Sequence, residues 1–109
     1  MTTKITNELD ETRDILGLSQ SELAELFRVR QPSIAEWRSR GVPPNRRAAV
    51  ERLHELALVL KREITKSRIP QIVRTPDEWL HGRTILEVIR LEGVEVVYGY
   101  LARLFAYDG

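Results

Sequence analysis

The sequence predicts an all-α protein: an N-terminal helical bundle, a long connecting helix and a small C-terminal helical unit. Three observations carry that expectation. Apolar residues recur at spacings of three and four along most of the chain, the period of a helix face. Ser/Thr-x-x-Glu patterns, which start helices by reciprocal capping, stand at Ser19–Glu22, Thr75–Glu78 and Thr84–Glu87. Glycine or proline separates the periodic segments, at Gly17, Gly41, Pro43–Pro44, Pro70, Gly82 and Gly93.

Taken in order, Ile5, Leu9 and Leu16 share one face of a helix over residues 5–16, and Gly17 stops it. Ser19-Gln20-Ser21-Glu22 nucleates the next helix, which turns Leu23, Leu26 and Phe27 inward. Residues 30–39 form a third helix, with Pro32 tolerated in its first turn and Ile34 and Trp37 making its buried face. Gly41 ends it. Val42-Pro43-Pro44 breaks the chain and places Pro44 near the first position of a new helix. That helix, residues 45–66, is the longest. Its seam of Val50, Leu53, Ala57, Leu60 and Ile64 suits either core packing or a helix pair between subunits. Lys66 to Pro70 is the expected hinge, dividing the chain into residues 1–66 and 69–109.

Thr75-Pro76-Asp77-Glu78 starts a short helix that Gly82 cuts off, and Thr84 starts another that runs to about Leu91. Gly93 closes it. The last segment, VEVVYGYLARLFAY, is ambiguous. Its β-branched and aromatic residues suit a strand, whereas Val94, Val97, Leu101, Leu104 and Phe105 suit a helical face. Helix is expected, because no partner strand is evident. Gly99 then weakens it by roughly 1 kcal/mol relative to Ala.

Composition narrows the function. At 109 residues the chain is one domain, or a small domain with an appendage, and 42% hydrophobic content can bury a modest core. The absence of cysteine excludes disulfides and cysteine-ligated zinc. No apolar run approaches the roughly 18 residues of a membrane span. The opening MTTKITNELDETR has no apolar signal core. A soluble cytoplasmic protein with no membrane contact is expected. The net charge of +1 hides an asymmetry: residues 1–74 carry 14 Lys/Arg against 10 Asp/Glu, and residues 75–109 carry 3 against 6. Six arginines against Glu36 fall within residues 28–47. Such a patch attracts phosphates, or is ordinary surface variation; charge alone does not separate the two.

The stretch GLSQSELAELFRVRQPSIAEWRSRG, residues 17–41, is two short helices joined by a tight turn, the layout of a DNA-reading helix-turn-helix. Ala24, Val29, Ile34 and Trp37 sit where the helices must cross. The first turns of the second helix would enter the major groove, where donors and acceptors differ for every base pair. Gln31 can address adenine through its amide, Arg30 guanine or a phosphate, Ser33 a phosphate or a base, and Glu36 a cytosine amine. Gln20 is placed to touch the backbone. Arg38, Arg40, Arg46 and Arg47 flank the helix as phosphate clamps. A helical bundle that touches no DNA is the alternative.

These residues resemble the helix-turn-helix of the Xre/Cro family of phage-type repressors, in LSQSELAELF, the turn, QPSIAEW and the closing glycine. The resemblance implies that Arg30, Gln31, Ser33 and Glu36 face bases. The family usually has glycine in the turn where this chain has Arg28. A left-handed arginine there costs on the order of 1 kcal/mol, unless the turn is one of the looser variants.

Residues 69–109 resemble the toxin-binding region of Xre/MbcA/ParS-type antitoxins. The likeness rests on Thr75-Pro76, Leu80-x-Gly82-Arg83-Thr84, Leu86-Glu87 and the glycine-punctuated final helix. Ile85 stands where many relatives have proline. The resemblance implies a type II toxin–antitoxin module. The partner would be a RES-domain toxin that degrades NAD⁺. The C-terminal segment would cover its active-site cleft, and the helix-turn-helix would repress the chain's own operon on double-stranded operator DNA. Tyr98, Leu101, Phe105, Tyr107, Asp108 and Gly109 are the candidate toxin contacts. Crowded aromatics suggest a second buried surface, and the acidic end suits a basic pocket. The alternative is that these aromatics close a core or a homodimer. A homodimer or a toxin–antitoxin hetero-oligomer is expected. The rival reading is a plain Xre-family repressor whose C-terminal unit only dimerises; a third is an adaptor that has lost DNA binding.

No enzyme, metal or cofactor is expected. His54 and His81 lack metal-ligand spacing, and His54 reads as a solvated or satisfied helix residue. Asp77-Glu78 suits a helix start. Trp37 and Trp79 read as core.

Overall fold

The structure, a computed structural model, describes the backbone of residues 2–106 and the side chains of residues 8–106. Seven α-helices are found there, and no strand among the described residues. In α1 (Thr2–Leu16) the inward face is Leu9, Ile15 and Leu16, with Thr12 buried among them. The Thr12 hydroxyl is satisfied by donating to the Glu8 carbonyl at 2.7 Å. The Ile5 side chain lies outside the described residues. Gly17 ends the helix at φ +66°, the left-handed conformation that terminates helices.

α2 (Gln20–Phe27) and α3 (Gln31–Arg40) follow as expected, and Gly41 caps α3. α4 (Pro44–Glu63) begins at Pro44, where the missing N–H would have been unpaired in any case. Four residues of its expected seam are buried in this chain's own core: Val50, Leu53, Ala57 and Leu60 are at most 2% exposed, and Leu56 joins them, whereas Ile64, the fifth, lies beyond the end of the helix in extended backbone and is half-buried. α1 packs along α4, with His54 Nε2 lying 2.6 Å from Glu11 Oε1 across the pair. Of the two readings of His54, solvated or satisfied, the structure has the second.

The stretch expected as a hinge is helical: Lys66, Ser67 and Arg68 are exposed, Ile69 is buried and Pro70 is half-buried. A 3-10 turn, Lys66–Arg68, runs straight into α5 (Ile69–Ile72), and Ile69 and Val73 are completely buried. The periodicity that marks a longer helix was too short here to be seen. One hydrophobic cluster runs without interruption from Leu9 to Leu101. With each buried aliphatic side chain contributing about 1.5–3 kcal/mol, the residues on either side of the turn are joined by the same driving force that folds each.

The segment after α5 departs from the capping pattern read from the sequence. Thr75 does not cap; its hydroxyl donates to the Gln71 carbonyl at 2.7 Å. Asp77 takes the role, accepting the Trp79 N–H at 2.7 Å over a single 3-10 turn, Glu78–Leu80. Proline at 76 disfavours helical backbone at Thr75, so the start slips past it. Asp77 and Arg83 then pair as an isolated antiparallel bridge that closes the loop. Trp79, expected in the core, is 40% exposed. A single turn on the surface has no inner face large enough to bury an indole. Its ring meets Tyr100 edge-on at 6.3 Å and carries Arg103 over its face at 5.7 Å.

α6 (Ile85–Glu92) starts with the predicted Thr84–Glu87 box, both bonds present at 2.9 and 3.0 Å. The ambiguous last segment is helical: α7 (Val94–Ala106) buries Val97, Tyr100 and Leu101. It packs on α6 and α4, and Glu95 pairs with Arg52 of α4. No helix among the described residues is long and apolar enough to cross a membrane.

Candidate nucleic-acid interface

The helix pair is built outward from its caps. Ser19 Oγ accepts the Glu22 N–H at 3.0 Å while Glu22 Oε1 accepts the Ser19 N–H at 2.9 Å. Those bonds satisfy two N–H groups that α2 would otherwise leave unpaired. At the far end Arg28 takes φ 57°, ψ 42°, so the turn keeps its left-handed corner without glycine. The Arg28 N–H donates to Glu25 O at 3.1 Å and the Val29 N–H to Ala24 O at 3.0 Å, closing the helix. The side chain supplies a compensation: Arg28 Nε donates to the Arg90 carbonyl, at the end of α6, at 3.0 Å.

Leu23, Ala24 and Phe27 of α2 bury against Ile34 and Trp37 of α3, as the crossing requires. The Phe27 and Trp37 rings meet edge-on at 5.6 Å. This packing leaves the opposite face of α3 in solvent. Gln31 and Glu36 are exposed there, together with Pro32, Ala35 and Ser39. Ser33 is half-buried at the margin of that face. Ala35 and Ser39 were missed in the sequence because they carry no charge and match no base-reading rule strongly. Both sit centrally on the exposed face, where a small side chain can meet a thymine methyl or a base edge. Gln20 Nε2 donates to the Gln31 carbonyl at 3.4 Å, so the first residue of α2 is seated at the first residue of α3.

The arginines divide. Arg30 is exposed and makes no ion pair among the described residues. Arg40 is exposed and only loosely paired with Glu36, at 3.7 Å. Arg47 spends Nε on the Val42 carbonyl at 3.3 Å and remains exposed. Arg46 is half-buried, with Nη1 donating to the Phe27 carbonyl at 3.1 Å. That bond places a cation at the C-terminal end of the α2 dipole. Arg38 reaches back to α1, where its Nε lies 2.9 Å from Asp10; an exposed pair of this kind contributes about 0–1 kcal/mol. Arg30, Arg40 and Arg47 are therefore the cations most available to phosphates.

The α1–α2 corner holds the densest polar cluster. Arg74 Nη2 lies 2.8 and 3.0 Å from the two Glu22 carboxylate oxygens and donates to Gly17 O at 2.7 Å. Its Nη1 donates to Pro70 O at 2.8 Å and Leu16 O at 3.3 Å. The Ser19 N–H first, and the Arg74 guanidinium after it, hold the Glu22 carboxyl below its ordinary range against an opposing effect of burial. Nearby, the Lys66 ammonium bonded to Asp14 lowers that carboxyl as well. No spacing in the sequence announces Arg74, because all of its partners but Pro70 are 52 to 58 residues away.

The candidate toxin contacts are scattered differently. Leu101 is 3% exposed and faces the core, and Phe105 is half-buried. Tyr98 is half-buried, and burial, with Glu55 beside it, raises its hydroxyl. Tyr107, Asp108 and Gly109 lie outside the described residues. The large apolar residues that α6 and α7 leave in solvent are Leu91 and Val96. Among the described residues no group of three His, Cys, Asp or Glu is arranged to hold a metal ion. No family model, curated protein or solved structure matches the chain.

Proposed function

We propose that the chain binds duplex DNA through α3, represses its own operon and acts as the antitoxin of a type II toxin–antitoxin pair in the cytoplasm. The observation that carries the DNA reading is the exposed face of α3. It presents Gln31, Ala35, Glu36 and Ser39 to solvent, flanked by Arg30, Arg40 and Arg47. Polar side chains on a helix N-terminal half address base edges, and the flanking cations hold phosphates. A single reading helix offers limited affinity, so the chain binds as a homodimer on paired half-sites or within a toxin–antitoxin hetero-oligomer.

The toxin reading rests on the resemblance of residues 69–109 and on the apolar side chains exposed around the α6–α7 junction. The toxin is of the RES-domain, NAD⁺-degrading class, and Tyr98, Phe105 and the segment 107–109 are its contacts. Leu101 is already occupied in the core and is set aside as a contact.

The test is to induce the reading frame adjacent to this one, with and without this chain, and follow growth and cellular NAD⁺. Arrest with NAD⁺ loss, both reversed by the chain, supports the proposal. Rescued arrest with NAD⁺ unchanged keeps the antitoxin and replaces the toxin class. A harmless neighbour, or no rescue, leaves the plain repressor as the better account.

A further inference from the structure

We infer that the C-terminal unit is a brace for the DNA reader, with Arg74 and Arg28 as positioning residues that hold the two ends of α2. This inference rests on the DNA-binding reading of α3.

α2 is only eight residues long, too short to be stable by itself. Both of its ends are held by residues of the C-terminal unit. At its start, Glu22 is bonded to Arg74, whose remaining N–H groups tie the Leu16, Gly17 and Pro70 carbonyls into the same knot. Pro70 packs so closely here that a Cβ on Gly17 would lie 2.7 Å from its Cγ. At its end, Arg28 in the left-handed corner donates to the Arg90 carbonyl of α6. α6 also packs against α2 directly. α2 in turn seats α3 through the Phe27–Trp37 contact and the Gln20 bond to the Gln31 carbonyl, beside the hold that α1 has on α3 through Asp10 and Arg38.

Arg74 is thus distinguished from the phosphate-binding arginines. Its two terminal nitrogens already donate to three carbonyls and one carboxylate. A guanidinium so engaged has little left for a phosphate. Its effect on DNA recognition passes through geometry. Base-edge hydrogen bonds weaken steeply with misalignment, whereas phosphate contacts tolerate it. Loosening the brace therefore lowers specific binding and spares non-specific binding.

The experiment uses the full chain. The wild-type protein first selects a duplex from a random-sequence pool. Affinity for the selected duplex and for a random duplex is then measured against salt for the wild type, Arg74→Gln, Glu22→Gln, the double variant and Arg28→Gly. Helical circular dichroism and a melt check that each is folded at the assay temperature. Arg74→Gln is expected to lose about tenfold on the selected duplex and less than about twofold on the random one, with an unchanged salt slope. The double variant should lose no more than Arg74→Gln, because both changes remove one link. Glu22→Gln keeps an acceptor for the Ser19 N–H and carries the same test should Arg74→Gln fail to fold. Unchanged specific affinity in the folded variants, or equal losses on both duplexes, overturns the inference. A salt slope reduced by about one in Arg28→Gly would make Arg28 a phosphate contact and overturn its positioning role. If the wild type selects no duplex at all, the DNA-binding reading itself fails, a result separate from either.

Discussion

The Tyr100 hydroxyl donates to Asp77 Oδ2 at 2.9 Å while Oδ1 of the same carboxylate accepts the Trp79 N–H at 2.7 Å. One side chain therefore both caps the 3-10 turn and pins that turn to α7. Burial, then the bond to Asp77, pushes the Tyr100 hydroxyl up to about 12 from an ordinary 10.0.

Tyr100→Phe should destabilise the protein by about 1–2 kcal/mol, since the lost bond runs to an ionised acceptor. The pH dependence follows from the sign of the shift. A hydroxyl whose proton is held more tightly in the folded state adds stability that is intact below its unfolded value near 10.0 and is lost as pH rises through about 12. Denaturant titrations across that window should fall more steeply for the wild type than for Tyr100→Phe. Tyr98, also raised, leaves a residual slope. Equal slopes in the two proteins would contradict the assignment.

Gly17→Ala should be one of the more damaging glycine substitutions. The residue sits at φ +66°, and an added Cβ would stand 2.7–2.8 Å from the Pro70 ring, which cannot swing aside. About 1 kcal/mol of backbone strain combines with about 1–3 kcal/mol of overpacking. Gly82→Ala, at φ +80° with open space around it, should cost only the backbone part. Chemical denaturation of the two variants gives the comparison, and equal losses would show that Pro70 yields.

At Arg28 the usual order of alanine and glycine should invert. Inside a helix alanine is the more stabilising. At φ 57° the Cβ is a liability of about 1 kcal/mol. Both Arg28→Ala and Arg28→Gly lose the bond to the Arg90 carbonyl, so the difference between them isolates the backbone. The expected result is Arg28→Gly more stable than Arg28→Ala by roughly 1 kcal/mol; the reverse order would mean that the corner relaxes out of the left-handed region.

On DNA, Gln31→Ala should relax base preference at one position of the selected duplex, at about 1–3 kcal/mol. Arg47→Ala should weaken binding to all sequences alike and reduce the salt slope by about one. Binding selections and salt titrations separate the two. The same pattern of loss in both variants would rule out that division of labour.

Much of the fold was legible because it is local. The Ser19 and Thr84 boxes, Gly41, Gly93 and the alternation of threes and fours along Val50–Leu60 each place an element through interactions within a few residues. The helical choice for residues 94–106 also held, because a strand needs a partner and none exists among the described residues. The Thr75 cap did not form, because the proline beside it competes at the same range. Trp79 lies on the surface, because hydrophobicity says that a side chain gains from burial and does not say whether a neighbouring element offers the room.

The exposed face of α3 was readable in the same local way. Its buried side is defined by Ile34 and Trp37, so the opposite side follows from 3.6 residues per turn. What packs between distant parts of the chain was not. Arg74 meets Glu22 across 52 residues and Arg28 meets Arg90 across 62.

The sequence by itself determined α1 to α4, α6 and α7, most of their ends and the side of α3 that faces solvent, because caps and periodicity act over three or four residues. Only the tertiary structure decided that residues 69–92 pack against α1 and α2, that Leu101 is core, and which arginines remain available. Those outcomes depend on which distant carbonyl, carboxylate or ring a long side chain can reach, and that is set when the whole chain closes on its shared core.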